Sequence, residues 1–517
     1  KYLFMKPSTR IIFNTSIQYV RTVISVLVTL YTARLILDAL GVEDYGIYSL
    51  VGGIVAMLSF VQTSLTSTTQ RYLSFHQGKG DFFMQHKIFN NSIVTQLIIS
   101  ITLIAGLCIL QPFIFNGFLN IPADRVNAAI WVYYCMLFTL FFTMQSTPYL
   151  AVLIAHENIF YATIVQLTYS FLKIPIALIL YAIPVERLKY YAILLVIVQA
   201  ANYFMYLIYC KRKYKETKNI HLFSLDKQIF KQMFSFMGWS VYSTGCIVGR
   251  TQGIAILLNR FFGTVVNAAY GIAWQVSGQL NFLSSSIQNA TKPQLIRAEG
   301  ANDRKKMFRL AEITSKFSFL LLAFISIPAI MEMDDLLSIW LKKVPENTVV
   351  FCQFIVLTNL ADQLTIGLAY ANEAIGKIRN YSLVVNSIKL LSLPAAFLFL
   401  HYGAEVIAVM YCILGIELLC ALTRLPFLKF TGGLSIKEFS KRVFLPIIPP
   451  FCLTVILCYY YSSIFSSTWS FVGNFIISAI TMGISSYFFS LCKDEKEILQ
   501  RISGIALQKV KSINSIL

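Results

Sequence analysis

The sequence predicts an all-α, polytopic membrane protein with about fourteen spanning helices, arranged as two repeated six-helix bundles plus two extra C-terminal helices. Three observations predict it. The 517 residues are 57% hydrophobic and only 13% charged, too few charged groups to cover a soluble protein of this length. Apolar stretches recur along the whole chain at about 20 residues, the length that crosses a ~30 Å hydrocarbon layer at ~1.5 Å per residue. The chain also resembles itself at a shift of roughly half its length.

Lipid offers no partner to a backbone N–H or C=O, so each apolar stretch must satisfy its own backbone and form a helix. The spans run roughly over 11–37, 46–68, 88–114, 126–153, 158–183, 187–210, 232–258, 264–289, 311–333, 347–372, 378–401, 404–427, 443–463 and 468–492. They are numbered 1 to 14 in that order. The first span lacks a small-residue cleavage site, so no removable signal peptide is expected. The ten cysteines lie singly in or beside apolar spans, without metal-site spacing, and read as small buried hydrophobes. No metal or other cofactor is expected.

The net charge of +19 would suggest nucleic acid in a soluble chain, but its distribution reports topology. With the N-terminus inside, the clusters Lys211–Lys218, Arg304–Arg309 and Lys437–Arg442 and the C-terminal lysines all fall on the cytoplasmic side. The opposite loops keep only Arg125, Arg187, Lys189, Arg260, Lys342 and Lys343. That asymmetry is the positive-inside signal of a bacterial-type inner membrane protein with both termini cytoplasmic. The excess charge then meets anionic membrane lipid and no nucleic acid.

The repeat sets the domains. At a shift of 225, Tyr45-Gly46-Ile47 recurs as Tyr270-Gly271-Ile272, and Ser59 and Thr66 pair with Ser284 and Thr291. At a shift of 219, Pro175 pairs with Pro394 and Ala177 with Ala396. Residues 1–210 form an N-terminal six-helix bundle, 211–231 a basic cytoplasmic linker, 232–428 a second bundle, 429–492 two additional helices and 493–517 a basic tail. Six spans per copy preserve orientation, so the halves relate by an axis along the membrane normal and would face each other across a central cavity.

Polar stripes mark where such a cavity would lie. Span 8 carries Asn267, Tyr270, Trp274, Ser277, Asn281, Ser284 and Gln288 at steps of three and four, one helix face. Span 1 offers Asn14, Gln18, Arg21, Ser25, Thr29 and Thr32, and span 7 offers Ser240, Ser243 and Arg250. Span 2 repeats the pattern with smaller residues, which suits helix–helix packing as well as a lumen.

Charge inside the membrane sharpens the reading, because an unpaired arginine at the bilayer centre costs at least ~2.5–3.5 kcal/mol. Arg21 and Arg250 sit well inside their spans and are expected to face a water-filled cavity. Arg34, near the outer end of span 1, fits snorkelling as well as function. Lys173 and Lys389 could serve a cavity, or pair with an acid or a helix end. The intramembrane acid is Asp362, beside Asn359 and Gln363 in span 10. It could bind a coupling proton or sodium ion with Asn359, or form a salt bridge to a lysine. More cations than anions selects an anionic solute, and the guanidinium fork suits pyrophosphate or carboxylate.

The segments Arg34-Leu35-Ile36-Leu37, Leu40-Gly41-Val42 and Asp44-Tyr45-Gly46-Ile47-Tyr48, followed by Gly52-Gly53, resemble the start of a Wzx-type polysaccharide flippase. These flippases carry O-antigen or capsule repeat units for polysaccharide (including lipopolysaccharide) biosynthesis. They belong to the multidrug/oligosaccharidyl-lipid/polysaccharide (MOP) exporter superfamily. The resemblance implies a non-enzymatic transporter. It would move undecaprenyl-pyrophosphate-linked oligosaccharide outward by alternating access, with helices 1, 2, 7 and 8 lining a cationic lumen and a polysaccharide polymerase as a candidate partner. It implies that Arg21 and Arg250 hold the pyrophosphate, that Trp274, Asn281 and Gln288 contact sugar, and that the polyprenyl tail stays in lipid or beside spans 13 and 14.

No G-x-x-x-x-G-K-[ST] loop is present, so direct ATP hydrolysis is not expected. An H+ or Na+ gradient or the membrane potential would supply the drive, the latter ~2.3 kcal/mol per charge per 100 mV. Three alternatives stay open. They are a lipid II flippase, a multidrug antiporter, and a membrane-embedded polyprenyl-dependent glycosyltransferase or polymerase using Glu43-Asp44. Two acids ending a helix turn more often form a solvated cap.

Overall fold

The computed structural model describes scattered helical residues between Gln18 and Gly52, then residues 59–115, 124–184, 186–220, 226–341, 344–465, 470–492 and 495–496. Among these residues there is no strand. Full helices run in the order α1 Ser59–Lys79, α2 Phe82–Phe113, α3 Val126–Ala155, α4 Ile159–Ala182, α5 Arg187–Lys213, α6 Lys227–Phe262, α7 Thr264–Leu280 and α8 Phe282–Gly300. They continue as α9 Arg304–Met331, α10 Met333–Trp340, α11 Thr348–Gln363 and α12 Ile366–Ile375. The last four are α13 Ile378–His401, α14 Val406–Gly432, α15 Ile436–Ile464 and α16 Ser470–Ser490.

Nine of the described helices are long and apolar enough to cross a membrane, or ten when the bent pair α11 and α12 counts as one span. The protein is a multi-pass membrane protein. The expected spans outside that set are 1, 2, 7 and 8, the four whose polar faces stand out in the sequence. Spans 1 and 2 lie partly outside the described residues. Of the other two, α6 is long enough and its polar side chains lower its apolarity, whereas span 8 is divided between α7, of 17 residues, and α8.

Two expected helices are broken in the structure. Span 8 divides at Asn281 into α7 and α8, and α8 continues to Gly300. Span 10 divides after Gln363, with a bend of 46° between α11 and α12. A break inside hydrocarbon frees backbone carbonyls that protein groups must satisfy. At the second break Arg424 does so, its Nη1 donating to the Asp362 carbonyl at 3.1 Å and to Thr365 Oγ1 at 3.3 Å.

Capping fixes the polar ends. Asp81 accepts from Met84 N at 3.0 Å and Asp303 accepts from Lys306 N at 3.1 Å, starting α2 and α9. Gly80 takes φ +73 between α1 and α2, a left-handed turn open to glycine.

The chain forms two compact units, one of Ser16–Thr244 with Arg297–Asn302, the other of Gly245–Ile296 with the chain from Asp303 onward. In the first, Val51, Val132, Tyr133, Leu140 and Leu188 are buried together. Buried polar groups act as interhelical glue there: Tyr133 OH donates to the Leu107 carbonyl at 2.9 Å, and Gln145 Nε2 donates to Ser100 Oγ at 2.9 Å. In the second, Ile254, Leu258, Ala273, Phe351, Ile355 and Met410 form the corresponding core. The outward faces of α15 and α16 keep Ile456, Leu457, Tyr459, Ile476 and Phe488 exposed, as helices in lipid should.

The last helix, α16, is tied to α9 and to the residue that follows it at several levels. Ser470 Oγ donates to Glu332 Oε2 at 2.8 Å and Asn474 donates to Oε1 of the same carboxylate. Ser478 Oγ donates to the Phe324 carbonyl at 2.6 Å. At the other end the buried Lys316 ammonium donates to the Ser490 carbonyl at 2.9 Å and to Glu495 Oε2 at 2.6 Å.

The linker is more than a solvated basic run. A turn at Lys215–Thr217 buries Glu216 and Thr217. Thr217 Oγ1 donates to the Cys210 carbonyl at 2.8 Å, and Glu216 pairs with His156 at the end of α3. Burial alone would raise the Glu216 carboxyl, but the His156 hydrogen bond and charge outweigh it and hold it below the usual carboxylate range. A depressed carboxyl contributes stability above its unfolded value of about 4.3 and loses it as pH falls through the folded value. Acidification below about pH 4 should therefore loosen this turn, read as faster proteolysis within 211–231. In Glu216→Gln the acid-induced step should vanish, and an unchanged step would show that Glu216 does not carry it.

Candidate functional site

The second unit contains a buried charge cluster assembled from four helices. On α14, Glu417 and Arg424 are seven residues apart, two turns along one face. From α6, Arg250 Nη1 donates to Glu417 Oε2 at 2.6 Å. From α13, Lys389 Nζ lies 2.7 Å from Glu417 Oε1 and 3.2 Å from Asp362 Oδ1. Arg424 Nη2 closes the set on the same Asp362 oxygen at 2.6 Å. Exposure is 1% for Glu417, 2% for Arg424, 5% for Arg250 and 6% for Lys389.

Three cations thus face two carboxylates, a net charge of one positive, with Asp362 the one partly exposed member at 22%. Each carboxylate bridges two cations, the geometry that makes burial of charge tolerable. The expectation that Arg250 opens onto water is corrected: its guanidinium is buried and ion-paired. Of the readings left open for Lys389 and Asp362, the structure has the salt bridge, Lys389 to Asp362. The Lys389 ammonium and the Arg424 guanidinium share one Asp362 oxygen and occupy the place a sodium ion would take there. Asn359 is also engaged, donating through Nδ2 to Ser277 Oγ and joining α11 to α7.

The polar stripe of span 8 is only partly satisfied by protein: Ser277, Ser284 and Gln288 have partners, whereas Tyr270 OH and Trp274 Nε1 are buried without a hydrogen-bond partner among the described residues. Gln288 Nε2 donates to Gln363 Oε1 at 2.6 Å, and Tyr370 OH donates to Gln288 Oε1 at 2.8 Å. Trp274 is half-buried, edge-on to Tyr270 with centroids 6.2 Å apart. Asn281, at the break between α7 and α8, has a buried Oδ1 without a hydrogen-bond partner among the described residues.

The first unit differs in its cations. Arg21 is half-buried, and its Nη1 donates to the neutral amide oxygen of Gln166. Among the described residues it forms no ion pair. Lys173, partly buried, sits 4.5 Å from the Tyr169 ring centroid, held by the ring quadrupole. Gln18 is buried, Arg34 is exposed, and Asn14 lies outside the described residues. Asp38 accepts from Tyr181 OH at 2.6 Å.

Three charged residues escape the sequence reading. Glu417 lies alone in a long apolar run, and its signal is the seven-residue step to Arg424. Arg424 sits near a span end, where arginine usually means snorkelling. Arg71, just past the expected end of span 2, is buried against Tyr72 and Phe236 at 4.9 and 4.8 Å from their centroids. Asp44 is not a solvated cap but is buried, 3.6 Å from Arg125. Its neighbour Glu43 lies outside the described residues.

Solved structures share this fold. The chain superposes with a MATE protein in its bent conformation at a TM-score of 0.71 and 17% identity, covering 85% of this chain and 98% of that one. An outward-facing multidrug resistance MATE family transporter of the MOP superfamily gives 0.71 and 16%, covering 83% and 96%. A MOP superfamily transporter from Pyrococcus furiosus gives 0.69 and 14%, covering 83% and 96%, and is described as having a binding pocket of reversed polarity that suggests a different function. At such identities the likeness establishes the MATE fold. No protein-family model and no curated protein matches the sequence.

Proposed function

We propose that the protein is a membrane transporter that moves undecaprenyl-pyrophosphate-linked oligosaccharide across the bilayer by alternating access through a cationic lumen. The fold is that of transporters of the MOP superfamily, which supports transport and no covalent chemistry. The observation that carries the substrate class is the excess of intramembrane positive charge in each unit. In one, Arg21 and Lys173 are held by an amide and an aromatic ring. In the other, three cations outnumber two carboxylates. Such potential attracts an anionic headgroup, and a sugar–pyrophosphate needs a hydrated path because each stranded polar group costs several kcal/mol in hydrocarbon.

Arg21 is the residue best placed to meet pyrophosphate, since its neutral partner leaves the full charge available. Arg250 contributes through the net charge of its cluster rather than as a free fork. Asp362 is an unsuitable coupling site in this arrangement, so the membrane potential is the preferred drive.

The test is transport of a pyrophosphate-linked oligosaccharide in reconstituted vesicles, with protein content measured alongside. Arg21→Ala should slow translocation about tenfold or more, the value of a charge-assisted hydrogen bond. Arg21→Lys should recover part of it, because the charge remains while the planar fork is lost. Full translocation by Arg21→Ala would remove that role. Rescue of peptidoglycan synthesis in a cell lacking its own flippase would turn the assignment to lipid II.

A further inference from the structure

A second basic site lies away from the charge cluster, where α9 and α15 begin. A cavity of about 780 Å³ is lined by Arg304, Lys305, Arg309 and Arg442, with Glu312 and Glu438, over a floor formed by the turn Gly432–Ser435. We propose that this cavity binds the phosphate headgroup of an anionic phospholipid of the surrounding bilayer.

The charges are arranged for an anion. Four cations line the cavity against two carboxylates, and Glu312 is shared, 3.5 Å from Arg309 and 3.3 Å from Arg442. Arg309 is also paired with Glu495 at 3.2 Å, so Arg442, which among the described residues has only a share of Glu312, keeps the most attraction for a further anion. Arg304 Nη1 donates to the Gly432 carbonyl at 3.4 Å, which holds the turn beside the α9 terminus. Lys305 is exposed and forms no ion pair among the described residues.

The place selects a lipid over a soluble phosphate. Both α9 and α15 are membrane-spanning helices, so their first residues sit where hydrocarbon gives way to headgroups. The cavity wall includes Phe308 and Leu434 beside the charges, matching a molecule polar at one end only. Basic pockets between spanning helices bind anionic headgroups by this combination of charge and depth. The site is independent of the transport reading, since its occupant is a resident lipid and its cations are not those of the buried cluster.

The full-length protein, delipidated in neutral detergent, should retain phosphatidylglycerol over phosphatidylcholine when both are titrated and the bound lipid is read by native mass spectrometry. The triple variant Arg304→Gln, Lys305→Gln, Arg442→Gln should lose that preference, by about fivefold for each cation removed. Arg309 is left intact because it holds Glu495 at 3.2 Å. A matched variant, Lys211→Gln, Arg212→Gln, Lys213→Gln, removes the same charge from the exposed end of α5 and should keep the preference. Equal loss in both variants would show mere surface attraction and overturn the site. Displacement of the lipid by millimolar inorganic phosphate would also overturn it, in favour of a soluble anion.

Discussion

Glu417→Ala should destabilise the second unit severely, while Arg250→Ala, which breaks the same 2.6 Å ion pair, should be far milder. The asymmetry follows from counting charge around Glu417, Arg250, Lys389 and Arg424, all buried. Losing Arg250 leaves Lys389 and Arg424 against Glu417 and Asp362, a balanced set in which Glu417 still holds Lys389 at 2.7 Å. Losing Glu417 leaves three cations facing one carboxylate, with Arg250 deprived of its ion-pair partner. Removing one partner of a buried pair typically costs about 3–5 kcal/mol, because the remaining charge stays desolvated. Against a total stability of about 5–15 kcal/mol, that loss should empty much of the folded population. Glu417→Gln should fall between, since the amide oxygen can accept one hydrogen bond but carries no charge.

Thermal unfolding in detergent, followed by size-exclusion of the heated protein, reads all three variants. The double variant Glu417→Ala, Arg250→Ala should be more stable than Glu417→Ala alone, a coupling that only contact can produce. Equal melting of Glu417→Ala and the unaltered protein would mean that water reaches the cluster and screens it. The same series bears on transport. If Arg250→Ala stays folded and still loses transport, the loss follows the net charge of the cluster rather than the fold.

The membrane architecture was legible because lipid imposes one rule, satisfaction of the backbone within each apolar run, and the runs are long. The broken helices were not. Span 10 has no proline or glycine at its bend, only the ordinary-looking Leu364 and Thr365, and the break is held by Arg424 from a helix remote in sequence. Asn281 looks like one more member of a continuous polar stripe, although it ends α7. The site was half legible. Periodicity finds Arg250, Lys389 and Asp362 as misplaced charge, but pairing is a tertiary fact, and Glu417, the residue that binds two of the cations, reads only as a lone acid in an apolar run. Arg21 is expected to face a water-filled cavity, and in the structure its guanidinium is half-buried and donates to the Gln166 amide.

Gly300→Ala should damage the first unit, although the change adds a single methyl group. The end of α8 crosses α1 so closely that a Cβ on Gly300 would sit 2.0 Å from the Phe75 carbonyl oxygen, and one on Gly78 would sit 2.0 Å from the Arg297 carbonyl oxygen. Both obstacles are backbone, which cannot rotate aside, so the helices would have to separate by about 1 Å or more to restore an ordinary contact. Close approach through small residues is how helices gain packing energy in lipid, and overfilling such a contact costs about 1–3 kcal/mol. Separation also pulls on Arg297, which spans the crossing with bonds to Glu157 at 2.7 Å, Gln77 at 2.8 Å and the Ala155 carbonyl at 2.6 Å. Gly278→Ala is the control: a Cβ there meets nothing within 4 Å, and alanine is the better helix former by about 0.5–1 kcal/mol. Melting should therefore fall for Gly300→Ala and hold or rise for Gly278→Ala. Gly78→Ala should add little to Gly300→Ala, because the first substitution has already parted the same two helices. If both single variants melt together with the unaltered protein, α1 and α8 do not touch as described.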